Sequence, residues 1–508
     1  MKQYFMAFFL IISAKAFSQN IGIGTSTPQA RLHIKGNADT SQLVIDANAT
    51  QSNLRPLIRL RNAAGIDLLH IHSDNASNTF IGKDAGRLNA PSGLVLGKFN
   101  TFIGAGAGFS NTTGFENTAT GYHALYFNTT GTYNIATGND ALYSNSTGYN
   151  NTAIGYAALI GNNTGYSNTA TGHSALYFNT DGYNNTAHGT SSLYSNTTGY
   201  SNTANGDSAL YRNTTGYYNT ALGYQALYSN TAGHSNTANG YGALYSNTSN
   251  SNTADGYKAL YYNTGYNNTA NGHFALISNT TGNYNTAIGD EADVSVGGLI
   301  NATVIGYAAT VTASDKVRVG NSSVTSIGGQ VGWTSFSDGR FKTNVREDIP
   351  GIDFIKKLRP VSYTFNITGL NKHFRPDDTT RIKEQHVEKI PANNVSKQEE
   401  IRYTGFIAQE VELAAKELGF DFSGVDGPKN NNDTYGLRYA EFVVPMVKAM
   451  QEQQVLIETL QKQVEATRTM PLQIGKQQKI IDELTDELHS DKNKISDLIK
   501  RIEALEKK

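Results

Sequence analysis

The sequence predicts a mostly β protein: a long parallel β-roll or β-helix fibre of 17-residue repeats, trimeric, then a small α+β domain and a C-terminal coiled coil. Three observations predict it. An N-T-A-x-G motif recurs through the middle of the chain at almost constant spacing. Charge nearly vanishes from that same stretch. After Val443, apolar residues return every three or four positions, as in heptads.

At 508 residues the chain is long enough for several domains of about 100–200 residues each. Its net charge of −1 gives no field to attract nucleic acid or an anionic membrane surface, and neither is expected as a partner. Composition is skewed to 50 Gly and 29 Tyr with a single Trp, which signals repeats rather than an ordinary mixed core. There is no Cys, so stability must come from packing or assembly and not from disulfides. The usual bacterial lipid-anchor site is missing for the same reason.

Residues 1–18 have the layout of a secretory signal peptide: Lys2, an apolar run from Tyr4 to Ser13, then the small-x-small site Ala16-Phe17-Ser18, with Lys15 as a blemish. The chain is therefore expected to be exported, to the cell surface or the extracellular space. No later run approaches the roughly 20 apolar residues of a membrane span. Residues 19–100 read as a β-rich entry segment. In it "NIGIGTSTPQARLHIKG" resembles the short entry segments of bacterial proteins of phage-tail-fibre type, and "SQLVIDA" and "PLIRLRNAAGIDLLHIHS" alternate as strands.

Residues 101–320 are the repeats. The motif glycine falls at Gly104, Gly121, Gly138, Gly155 and on to Gly289 at steps of 17, with two steps of 16 ending at Gly256 and Gly272. Leu125 through Leu260 occupy one equivalent position and Tyr126 through Tyr245 the next. Each unit offers two β-capable pieces, "NTAxGY" and "xALYxN", divided by turn-forming Asn-Thr-Thr-Gly. Seventeen residues with this much Gly and Asn cannot make a helical hairpin. A β-coil with one turn per repeat remains, with Ala and Leu inward and Asn and Thr laddering along the axis. Between Asn117 and Gly289 the charged side chains are Asp140, Asp181, Asp207, Arg212, Asp255 and Lys258 only. A surface so poor in charge and a core so thin point to coils that associate, most simply as homotrimers. These repeats resemble the head β-rolls of trimeric autotransporter adhesins, whose terminal membrane barrel has no counterpart here. The tyrosines could stack on surface glycans or other molecules of a host or neighbouring cell. Packing on adjacent turns is the simpler expectation. His123, His173, His188, His234 and His273 show no ligand-like spacing, so no metal or cofactor is expected.

Past Ser335 the pattern changes. Residues 333–445 read as a compact domain with a short helix over Ile352–Leu358, a strand over Val361–Phe365, a polar insertion over 367–400, and a strand entering an amphipathic helix at "YTGFIAQEVELAAKELGF". Residues 446–508 read as coiled coil, in one register through Val464 and another from Ile481, with Pro471 as an interruption. In the order "SDGRFKTNV", "LRPVSYTF", "TGFIAQEV" and "LRYAEFVVPMVKAMQEQ", this region resembles the C-terminal intramolecular chaperone of phage endosialidases and tailspikes, a self-cleaving serine peptidase family.

The resemblance implies a Ser337–Lys342 dyad that cuts the Phe336–Ser337 bond, with Ser337 as nucleophile and Lys342 as general base. Asp338, Gly339 and Arg340 would complete the motif and shape its turn. A lysine can act as base only where burial lowers its pKa, and the oxyanion would need donors such as the amides near Gly339. Asp-Gly is also a plain hairpin-turn signal. The expected function is an exported trimeric, adhesin-like fibre matured by its own chaperone. A tailspike-like glycan-degrading enzyme would need paired carboxylates, which Asp140, Asp181, Asp207 and Asp255 do not supply in any one repeat. A passive spacer is the third possibility.

Overall fold

The computed structural model describes residues 21–23, 32–34, 43, 45, 56–374 and 399–507. The expected signal peptide and most of the insertion at 367–400 lie outside them. The chain divides into two compact units, Met1–Arg318 and Val319–Lys508.

The first unit is built from a parallel β-solenoid. Three-residue strands from Thr79–Ile81 and Thr101–Ile103 to Thr303–Ile305 pair with the next turn in strict register, Thr on Thr and Ala on Ala over most of the length. The coil thus includes one turn before residue 101. Upstream, the antiparallel hairpin of Ile58–Arg61 with Asp67–His72 pairs with Thr79–Ile81. Ile21–Ile23 pairs in parallel with Leu32–Ile34.

Alternation within each strand places Ala inward, with Thr and the variable residue outward. The "xALYxN" piece, expected as a second strand, is a chain of turns instead. Leu210 there has φ of 52°, and its equivalents, such as Leu142 and Leu227, are also left-handed. Such a conformation costs about 1–2 kcal/mol in a residue with a Cβ. Complete burial of the leucine, worth about 1.5–3 kcal/mol, offsets it. Backbone bonding between turns continues regardless: Leu210 N–H reaches Ala226 at 2.9 Å and Arg212 N–H reaches Tyr228 at 3.0 Å. The motif glycine has a separate reason. Gly206 has φ of 143°, and a Cβ there would lie 2.5 Å from the carbonyl oxygen of Gly223 in the next turn.

Two ladders of buried asparagine run beside the Ala and Leu columns. Asn202 is typical of the first. Its amide nitrogen donates to Asn185 Oδ1 at 3.1 Å and to the Gly216 carbonyl at 2.8 Å, while its own Oδ1 accepts from the backbone and side-chain nitrogens of Asn219. In the second, Asn213 donates to Asn196 Oδ1 at 2.8 Å and to the Gly216 carbonyl at 3.1 Å. The shortened repeat at Ser249 disturbs both ladders: in the first, Asn236 Oδ1 keeps the Asn252 backbone N–H at 3.0 Å while the Asn252 side-chain amide turns to Asn247 Oδ1 at 3.0 Å, and in the second the bond between neighbours is lost. Asn230 Oδ1 is left with no donor, and the chain of bonds resumes where Asn263 donates to Asn247.

Tyrosine rings stack on their equivalents one turn away, Tyr194 on Tyr211 at 5.0 Å and Tyr183 on Tyr200 at 4.9 Å. The neighbouring turn is their packing partner.

In the second unit, α1 (Ile352–Lys357), α2 (Ile367–Phe374), α3 (Ala408–Glu417) and the long α4 (Val443–Leu505) accompany a two-stranded antiparallel pair, Val361–Tyr363 with Tyr403–Gly405. Phe354 of α1 is wholly buried against Val411, Ala415, Phe422 and Phe442. The first turn of α1 is held from α4, where Glu452 Oε2 accepts the Ile352 N–H at 2.8 Å. The first part of the expected polar insertion is helical as α2. Pro471 does not interrupt: α4 is one helix of 63 residues with the proline inside it. One missing N–H removes one bond from a ladder of dozens, and the continuous helical pattern on either side prevails. The heptad residues of α4, among them Met450, Leu460, Leu484 and Leu498, are exposed in the single chain.

The ladder makes a specific demand on stability. Asn202→Ala removes four hydrogen bonds and strands buried partners, so it should lower unfolding stability by about 2–5 kcal/mol. Thr203→Ala, one residue along and outward, should cost under about 1 kcal/mol. Denaturant unfolding followed by circular dichroism checks the contrast.

Candidate active site

The stretch between the coil's last strand and α1 has no regular structure until a single 3₁₀ turn, Gly339–Phe341. Asp338 makes that turn. Its side-chain Oδ1 accepts the Arg340 N–H at 2.9 Å, and its main-chain oxygen accepts the Phe341 N–H at 3.1 Å. The Arg340 side chain folds back on the same carboxylate, Nε to Oδ2 at 2.9 Å. This pairing, side chain first and backbone second, holds the Asp338 carboxyl below its ordinary range, and it raises Arg340 in return. Asp338 and Arg340 shape this turn. No hairpin forms there.

The turn brings Ser337 and Lys342, five residues apart, onto one side. Lys342 Nζ donates to Ser337 Oγ at 2.8 Å. At that distance a proton can pass between the two groups. The pair has the nucleophile-and-base contact of a serine–lysine dyad. Both side chains are exposed, as is every residue from 324 to 348. Phe336, whose carbonyl would be the electrophile, is fully exposed, and Trp333 and Phe341 nearby in sequence are largely so.

The expected oxyanion donors are only partly free. The amides of Arg340, Phe341 and Lys342 already bond to Asp338 and Gly339 within the turn. Sequence reasoning did not single out Trp333 and Phe341, although their aromatic character in a polar stretch was visible.

Elsewhere, among the described residues, no three His, Asp or Glu side chains gather as a metal site would require. The repeat carboxylates are apart in use as well as in sequence. Asp140 faces His123 at 3.7 Å, Asp207 accepts from Ser208 at 2.6 Å, and Asp255 accepts from Asn239 at 2.9 Å.

Residues 337–420 match the family model described as the chaperone of endosialidase. The match begins at Ser337 and takes in the 3₁₀ turn, α1, the antiparallel strand pair and α3. It confirms the resemblance carried by "SDGRFKTNV", "LRPVSYTF" and "TGFIAQEV", and "LRYAEFVVPMVKAMQEQ" lies beyond it. No curated protein matches the chain. The chain therefore carries an endosialidase-type chaperone domain after a β-solenoid fibre.

Because the Asp338 carboxyl is depressed by Arg340, its grip on the turn is complete above the ordinary carboxylate pKa and is lost as pH falls through the lowered value. An NMR titration should place Asp338 below a free aspartate, and Arg340→Gln should return it towards the ordinary range.

Proposed function

We propose that the protein is an exported, trimeric, adhesin-like fibre whose C-terminal chaperone domain sets the register of three chains and then releases itself at the Phe336–Ser337 bond. One observation carries this reading: the hydrogen bond between Lys342 and Ser337, at the first residue of the matched domain.

The chemistry balances with groups in place. Ser337 Oγ attacks the Phe336 carbonyl carbon and its proton passes to Lys342 Nζ. As the carbon–nitrogen bond breaks, that proton is delivered to the leaving amine of Ser337, and Phe336 is held as an ester. Water then hydrolyses the ester, leaving a carboxylate on Phe336 and the hydroxyl on Ser337. Lysine serves as a base only when water is stripped from its amine, and Lys342 is exposed in the single chain. Cleavage accordingly waits for assembly to cover the junction.

The need for a template follows from topology. A parallel trimer of long coils gains nothing until three chains meet in register, which is slow. The apolar stripe of α4, bare in one chain, suits early association. Removing the template afterwards leaves a fibre held by a high unfolding barrier. Glycans or other molecules of a neighbouring cell surface are the ligands that suit such a fibre.

Intact-mass analysis of purified protein tests the cut. The unaltered chain should yield one piece ending at Phe336 and one beginning at Ser337, whereas Ser337→Ala and Lys342→Ala should each remain whole. Continued cleavage in Lys342→Ala would remove the lysine from the mechanism.

A further inference from the structure

The outward residues of the solenoid are not distributed evenly, and the imbalance singles out one face. Each strand projects two residues outward, flanking the buried Ala. The first is Thr in every motif strand from Thr101–Ile103 to Thr303–Ile305 except the one that carries Ile135. The second varies. Between Thr101 and Ile305 seven aliphatic side chains are substantially exposed, and six of them, Ile103, Ile135, Ile154, Leu222, Ile288 and Ile305, project from these strands. The seventh is Ile300.

Charge follows the opposite rule. Of the eight charged residues from Asp140 to Glu291, only Asp255 projects from a strand. Asp140, Lys258 and Glu291 occupy the left-handed position after the motif glycine's neighbour, Asp207 and Asp290 follow the glycine, Arg212 adjoins the tyrosine column, and Asp181 lies in the Thr-Thr turn. The tyrosine columns mostly have their ring faces covered by their own equivalents at about 5 Å. The strand face has no such partner layer. It is a ribbon, continuous over a dozen turns, of Thr at nearly every first position and, at the second, five aliphatics, three Thr, three Asn, His188 and Asp255, and an isolated fibre gains nothing by concentrating its exposed aliphatics there.

We propose that this strand face is where the coils of separate copies meet, with the Thr and variable columns turned to the shared axis and the aromatic columns outward. The partner is a second and third copy of this chain. Stacking in register sets Thr against Thr and Ile against Ile at the same height, and no charged ring forms on the axis except at Asp255. The outward faces then hold the charges and the tyrosine edges, which are left for other ligands. The proposal deepens the trimeric reading and rests on it.

The chain has no cysteine, so single-cysteine variants give an unambiguous readout. Thr203→Cys and Asn205→Cys lie on the strand face, and Thr215→Cys lies in an exposed turn away from it. Each is made in the full chain bearing Ser337→Ala, sized by light scattering, then treated with a mild oxidant or a short bis-maleimide and run on a denaturing gel. Thr203→Cys and Asn205→Cys should shift from the single-chain band to a linked-dimer band while Thr215→Cys does not. Linking through Thr215→Cys alone, or no linking from either strand position in a protein that sizes as a trimer, overturns the assignment of the face while leaving the trimer intact. A monomer by light scattering overturns the trimeric reading and this proposal with it.

Discussion

The asparagine ladders set the terms for the solenoid. Each amide inside the coil is satisfied only if the turn above and the turn below present an asparagine at the same point and height, so one repeat cannot drift from its neighbours without stranding a buried polar group. The shortened repeat shows the tolerance. At Ser249 the chain loses a residue, the second ladder drops one bond at Asn230, and the first keeps only its backbone bond, Asn252 N–H to Asn236 Oδ1 at 3.0 Å, while the Asn252 amide crosses to Asn247 of the other ladder. Two parallel ladders let one absorb a fault.

That constraint explains why the rest of the core can be so small. Alanine and leucine alone supply little apolar area per turn, and the leucine comes with a strained backbone. Ladder bonds, inter-turn backbone bonds and stacked tyrosines add to it, and each of these terms depends on the next turn being in place. A single turn has almost no stability by itself. Such a structure is costly to begin and hard to dismantle, which is the physical setting in which a separate nucleating domain is useful.

Much of this was legible in the chain. The spacing of the motif glycines marked the coil and the Ala and Leu positions marked its inner face, whereas the ladders expected of Asn and Thr alike are buried only for Asn. The second half of each repeat was not legible. An apolar-polar alternation such as "ALY" looks like a strand, and nothing in the letters says that a leucine will adopt a left-handed backbone because the corner it fills is worth more than the strain. Pro471 misled for a related reason: a local rule about one missing donor yields to a long helix on both sides. At the junction, Ser-x4-Lys carries no information as spacing. The two side chains meet because Asp338 caps a turn that folds five residues into 2.8 Å, a relation between side chain and backbone that composition does not encode.

That last point bears on how the junction would be controlled. The Ser337–Lys342 contact is assembled by neighbours in sequence: Asp338 closes the turn, Arg340 locks Asp338, and among the described residues none outside 337–342 supplies a bond to it. Geometry made so locally forms as soon as the turn forms, which on the proposed function is long before three coils would be in register. Proximity of nucleophile and base therefore cannot be what delays a cut. What the single chain lacks is shelter, since Trp333, Phe336 and Phe341, close to the pair in sequence, are all exposed. Three large aromatic side chains exposed so near one bond are an unfavourable arrangement for an isolated chain, and on the proposed function they would seal the bond once other chains cover it. Positioning is local and desolvation is collective, and on the proposed function that division lets a short motif report on the state of a much longer fibre.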